Sequence, residues 1–88
     1  MDIKDLKFFV AVYETKGFSR ASQLLGTVQS NVSARIGSLE EILGVVLFER
    51  RYRNIVPTER GARLYPHAKQ LLASLALAEQ LMRPERSA

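Results

Sequence analysis

Leu64, Ala68, Leu71, Leu75, Ala78 and Met82 follow one another at intervals of 4, 3, 4, 3 and 4 residues, the alternation of a helix that pairs with another along a seam. Thr58 followed by Glu59 marks its start and Pro84 lies just past its end, which predicts a helix of some 25 residues, about 37 Å long. That length constrains everything else in a chain of 88 residues. A domain of this size buries only roughly 60 to 65% of its unfolded surface, and no other segment is long enough to cover such a seam. A second copy of the chain is the expected cover. Pro66 removes the hydrogen bond to the Ala62 carbonyl and crowds the preceding turn, so a kink is predicted near it.

Three shorter helices are read upstream. Asp2 is placed to cap the first, which carries one apolar stripe of Leu6, Phe9, Val10 and Tyr13 and a second of Phe8 and Val12; two apolar faces imply burial from two directions. Gly17 suits the left-handed position that ends it. A second helix is expected from a Ser19 cap to Leu25, with Gly26 supplying the turn before a third that ends near Gly44. Helix, glycine turn, helix is the helix-turn-helix pattern. Small residues at Ala21 and Ser22 permit close approach, and Leu25 and Val32 are placed to share the core between the two helices. After Gly44, "VVLFERRYRNIVPT" exchanges helical spacing for β-branched and aromatic residues broken at Arg53 and Asn54, which predicts a short two-stranded hairpin.

Charge is uneven along this framework. The net charge is +4, and between Phe48 and Arg63 five arginines stand against two glutamates, so three of those four excess charges fall in one short window. Arg51, Tyr52 and Arg53 give the hairpin a narrow basic tip suited to a minor groove, whose negative potential attracts guanidinium, with Arg53 nearer the turn. The third helix is uncharged where a solvated helix is normally charged. Opposite its Val32 and Ile36 stripe stand Ser30, Ser33, Ala34, Gly37 and Ser38. Glycine costs about 1 kcal/mol relative to alanine in a helix, and serine is an indifferent helix former. A face this bare lets a second surface come within contact distance, with hydroxyls available to phosphate oxygens or base edges. Gln29, Ser30 and Asn31 cluster at the positive end of this helix, and Gln and Asn can pair bidentately with adenine. Arg35 lies to one side, where an ion pair with Glu40 or a neighbour competes with a DNA contact.

Other chemistries find little support. Cysteine is absent and His67 is the sole histidine, which excludes a disulfide framework and a conventional zinc site. No glycine-rich phosphate loop or convergent nucleophile and base is present, so no enzyme activity and no cofactor are expected. No apolar run approaches the roughly 18 residues of a membrane span. With the charged start "MDIKDLK", this predicts a cytoplasmic protein. A scaffold module whose small-residue face docks another protein helix remains the competing class, and the arginine-rich hairpin argues against it.

The stretches "LKFFVAVYETKGFSRASQLLG", "QSNVSARIGSLEEILGVVLFER" and "PTERGARLYPHAKQLL", with Thr58, Glu59, Gly61 and Pro66, together resemble the N-terminal DNA-binding domain of LysR-type transcriptional regulators over Met1 to about Met82. The resemblance implies a mainly α fold. A winged helix-turn-helix DNA-binding domain would occupy residues 1–57, a linker and dimerisation helix 58–83, and the start of a hinge to an absent effector domain 84–88. It also implies a linker helix packed on the first helix, and a homodimer on an inverted-repeat promoter site. A tetramer is implied for the longer protein, and a small-molecule effector would act only through the absent domain. By the family pattern Gln29 reads a base, Ser30 and Ser33 contact DNA near the helix start, and Arg53 enters the minor groove. The expected DNA-contacting set is Gln29, Ser30, Asn31, Ser33, Ala34, Arg35, Arg51 and Arg53. Departures from the pattern are Val28, where the family favours a Ser or Thr cap, Ala34, where a basic residue is frequent, and Val46, often Pro.

Overall fold

The computed structural model describes residues 1–52 and 54–84. In chain order they form α1 (Ile3–Thr15), α2 (Phe18–Leu25), α3 (Gln29–Leu43), β1 (Phe48–Arg51), β2 (Asn54–Pro57) and α4 (Glu59–Met82). Three short helices, an antiparallel wing and a long final helix make up the winged helix-turn-helix read from the sequence.

At the start of α1, Asp2 Oδ1 accepts from the Asp5 amide at 2.8 Å and Asp5 Oδ2 accepts from the Asp2 amide at 3.0 Å, a reciprocal cap that satisfies two otherwise free donors. Both of its apolar stripes face the core: Leu6, Phe8, Phe9, Val10 and Val12 are all 8% exposed or less, and Tyr13 is half-buried. The helix packs on α2, α3 and α4 together, which is why it needs apolar residues on two sides.

The turn into α2 differs from the sequence reading. Lys16, not Gly17, takes the left-handed conformation (φ 59°, ψ 32°) and donates its amide to the Val12 carbonyl. Gly17 is extended and stands directly before α2, which begins at Phe18, so Ser19 lies in the first turn and not at the cap. Left-handed geometry costs a lysine about 1 kcal/mol or more. The turn around it is bridged by hydrogen bonds, the Thr15 hydroxyl donating to the Gly17 carbonyl at 3.1 Å and Arg20 to the Thr15 carbonyl at 3.2 Å.

Gly26 turns the chain at φ 68° and Gly44 ends α3 at φ 70°, both as expected. Between them, Ala21 and Val32 are fully buried at the α2–α3 crossing, with Leu25 half-buried beside them. Glu40, in the last turns of α3, accepts from the amides of Leu47 at 2.6 Å and Phe48 at 3.3 Å. This carboxylate fixes where the wing leaves the core. In the wing Phe48 pairs with Pro57 and Arg51 with Asn54. Asn54 therefore belongs to β2, and the chain leaves β1 for the turn at Tyr52 (φ 55°). Arg53, the expected tip residue, lies outside the described residues.

Thr58 caps α4 by accepting from the Gly61 amide at 3.1 Å, and also donates to the Val46 carbonyl at 2.6 Å. Gly61 is required by this junction, since a Cβ there would overlap the Leu47 carbonyl oxygen. The helix runs through Pro66 as a single element. Its first half docks on α1: Tyr65 stacks on Tyr13 with ring centroids 4.0 Å apart and planes 11° from parallel. Glu14 accepts from the Tyr65 hydroxyl and pairs with Lys69 at 3.1 Å. The hydrogen bonds from Tyr65 and Lys69 hold the Glu14 carboxyl below its ordinary range, while that same contact raises the Tyr65 phenol. Phe8, on the second apolar stripe of α1, lies beneath Arg35 of α3.

The seam residues of α4 divide accordingly. Ala68 is fully buried in the chain's own core and Leu64 packs against it, whereas Leu71 is 50% and Met82 80% exposed. Leu75 is half-buried and Ala78 exposed. Among the described residues no helix is long and apolar enough to cross a membrane.

Candidate nucleic-acid interface

Helix α3 has two unlike faces. Val32, Ile36 and Leu39 are at most 2% exposed and form its core side. Gln29, Ser30, Asn31, Ala34, Gly37 and Ser38 are exposed and Ser33 half-buried on the other. No atom stands within 4 Å of where a Cβ on Gly37 would lie. The fold itself does not demand a small residue at Gly37.

The start of α3 resolves how a helix with valine at its cap position is finished. Val28 is extended and contributes no side-chain hydrogen bond; its carbonyl accepts from the amides of Asn31 at 3.1 Å and Val32 at 3.3 Å. Thr27 does not take over as cap. Its hydroxyl oxygen accepts from the Asn31 side-chain amide at 3.0 Å, which steers Asn31 toward the preceding turn. The first amides of the helix are left without a side-chain acceptor, at the end where the helix dipole attracts anions.

Four arginines were candidates or neighbours of candidates. Arg35 Nη1 meets Asp5 Oδ1 at 3.0 Å, and its guanidinium lies 5.0 Å from the centre of the Phe8 ring. The intramolecular pair considered for it thus exists, with Asp5 of α1 as partner in place of Glu40. Burial opposes the Asp5 charge, but the Asp2 amide and the Arg35 guanidinium outweigh it and hold the Asp5 carboxyl below its ordinary value. Arg51 on β1 pairs with Glu49 at 3.1 Å with both side chains largely in solvent, a contact worth little on its own. Arg50 was not singled out in the sequence, yet its Nη2 donates to Ser33 Oγ at 3.2 Å and its guanidinium lies 4.8 Å over Phe18. It joins the wing to the bare face of α3. Arg53 lies outside the described residues, and the Tyr52 side chain beside it is 99% exposed.

Residues 3–62 match the family described as bacterial regulatory helix-turn-helix protein, lysR family. The chain belongs to the LysR family. Among its relatives is the HTH-type transcriptional regulator YofA of Bacillus subtilis, 42% identical over 86 residues that make up 98% of this chain and 30% of YofA. The chain spans under a third of the length of the curated relatives it matches. Two solved structures of DNA complexes are also similar. The BenM DBD complex with benA site 1 DNA is 34% identical, with a TM-score of 0.88 over 92% of this chain and 91% of that one. The CbnR DBD–DNA complex is 31% identical, with a TM-score of 0.87 over 91% and 92% respectively.

Within this LysR-family fold, seven of the eight residues expected to contact DNA are described. Gln29, Ser30, Asn31, Ser33 and Ala34 lie on or beside one exposed surface, Arg51 stands on the wing, and Arg35 is drawn toward α1. Arg35, beside Ala34 in a shallow cleft with Asn31 and Ser38, has its guanidinium paired with Asp5. His67 is exposed on α4, and the described residues contain no group of three or more metal-ligating side chains.

Proposed function

We propose that this LysR-family chain binds double-stranded DNA sequence-specifically, as a homodimer on an inverted-repeat promoter site, and so regulates transcription. The carrying observation is the exposed face of α3: Ser30, Ala34, Gly37 and Ser38 are small, uncharged and exposed, and internal packing does not demand the smallness of Gly37. In a major groove long side chains would hold the helix away from the bases, whereas Gln29 at its start presents an amide group that reads base edges, and Asn31 joins it by releasing its amide from Thr27. Ser30 and Ser33 are suited to phosphate, and the wing with Arg51 and Arg53 to the adjoining minor groove. The similar BenM and CbnR structures, both DNA complexes of about this length, support the reading. Dimerisation is assigned to the part of the α4 seam that the chain leaves open, Leu71, Leu75, Ala78 and Met82, with Leu64 and Ala68 anchoring the helix to its own domain. A regulator of this kind works in the cytoplasm without a cofactor in this domain. Assembly beyond a dimer and response to an effector belong to further sequence.

Duplex binding measured across a salt series tests the proposal. Affinity is expected to fall steeply as salt rises, and Gln29→Ala is expected to reduce the preference for a cognate over a scrambled site by roughly tenfold or more, the worth of one bidentate base contact. Absence of duplex binding at low salt overturns the function. An undiminished preference in the variant overturns the role of Gln29.

A further inference from the structure

Beside the bare face of α3, the α1–α2 turn and the wing enclose a cleft of about 330 Å³. Lys16, Arg20 and Arg50 line it, and none of the described residues around it is a carboxylate. A second cleft across β2, about 310 Å³, is again lined by Lys16 and Arg20. The two side chains therefore stand between the wing and the start of α2. Neither they nor Arg50 joins an ion pair among the described residues, where every pair involves Arg35, Arg51 or Lys69.

Both arginines are nevertheless held in place. Arg20 donates to the Thr15 carbonyl, and Arg50 is fixed by Ser33 and the Phe18 ring. Lys16 is the left-handed residue of the turn, so its side chain leaves the backbone in a direction a helical lysine would not take. Three cations at one cleft with no acid to neutralise them repel one another. Positive charge concentrated in this way is stabilised by an anion that reaches all of them. Gln29, the first residue of α3, lines the same cleft, so an anion there would sit next to the end of the helix proposed to enter the groove.

We infer that Lys16, Arg20 and Arg50 form a binding site for the DNA phosphate backbone, at the edge of the groove that receives α3. The inference rests on the DNA-binding reading above and adds to it three residues that the sequence pattern did not single out. Their role is affinity and register. A phosphate held between the α1–α2 turn and the wing carries no base identity, but it sets how far α3 slides along the groove.

The test compares two double variants of equal charge change. Lys16→Asn keeps a side chain tolerated in the left-handed region, and Arg20→Gln keeps a donor for the Thr15 carbonyl. The control, Lys7→Gln with Arg63→Gln, alters exposed cations on α1 and α4 that line neither cleft. With an unselected-sequence duplex as probe, the cleft variant is expected to lose roughly tenfold or more in affinity, and its slope of log affinity against log salt to fall by about 1.8, the release of two counterion contacts. The control is expected to change affinity by less than about threefold. If the wild type binds duplex with a steep salt slope and the cleft variant matches it, the phosphate site is overturned while the DNA-binding reading stands. Equal losses in the cleft and control variants overturn it too, because they show net charge acting at large. If the wild type itself fails to bind duplex, both readings fall. Circular dichroism of the cleft variant separates lost contacts from lost fold, and charge restoration by Lys16→Arg with Arg20→Lys is expected to recover the salt slope.

Discussion

Arg35 projects from α3 and Arg50 meets the same helix from β1, and each lays its guanidinium over a phenylalanine ring, Phe8 at 5.0 Å and Phe18 at 4.8 Å. Their partners differ in charge. Arg35 is bound to the Asp5 carboxylate, whose side chain is 11% exposed, so its positive charge is spent inside the fold, joining α3 to the capped start of α1. Among the described residues Arg50 bonds the Ser33 hydroxyl and no carboxylate, which orients it without neutralising it. One arginine serves as a fastener and the other as a positioned cation. The difference shows that the sign of a residue near an interface does not reveal its role until its partner is known.

The largest effect that would break this contrast concerns stability. Arg35→Met keeps contact with Phe8 but strands the Asp5 carboxylate, and is expected to cost about 2 kcal/mol in denaturant unfolding while changing duplex affinity less than about threefold. The same variant carries a pH signature. Because Asp5 is held below its ordinary value, the folded chain binds fewer protons than the unfolded one. Its contribution is thus present above about pH 4 and lost as pH falls through the folded-state value. Wild type and variant should converge in stability on acidification; Glu14, also lowered, remains in both and cancels in the difference. Parallel acid limbs would remove the pair as the cause.

Next in size, Arg50→Met should leave the melting temperature within a few degrees but lower duplex affinity by roughly eightfold and the salt slope by about 0.9. Asp5→Asn offers Arg35 a neutral acceptor and is expected to cost about 1 kcal/mol. Its affinity for DNA should stay within about twofold of wild type, and a severalfold rise would mean that a released Arg35 reaches the groove, erasing the contrast. Ser33→Ala removes the hydroxyl that orients Arg50, and should change stability by less than about 0.5 kcal/mol with an affinity loss smaller than that of Arg50→Met.

The contrast also marks what a sequence shows. Local features were legible: the Asp2 and Thr58 caps, the left-handed glycines at 26 and 44, and the apolar period of α3 all depend on residues a few positions apart. The partner of Arg35 lies 30 residues away and that of Arg50 17 away, and no periodicity encodes such pairings. The α1–α2 turn failed for a different reason. A glycine preference assigned the left-handed role to Gly17, but that geometry falls at Lys16, in a turn bridged by hydrogen bonds from Thr15 and Arg20. The division of the α4 seam was equally hidden, since heptad spacing does not say which residues are taken by the chain's own α1. Gly61 was visible as part of a family pattern, and its cause, the Leu47 carbonyl against the first turn of α4, appears only in three dimensions.

The central claim, that the bare face of α3 reads DNA from a two-fold dimer, is tested most directly by selecting bound sites from a pool of random duplexes. The account predicts enrichment of an inverted repeat with half-sites about one helical turn, roughly 34 Å, apart. A pool that stays random, or that yields only a single unrepeated element, would contradict it.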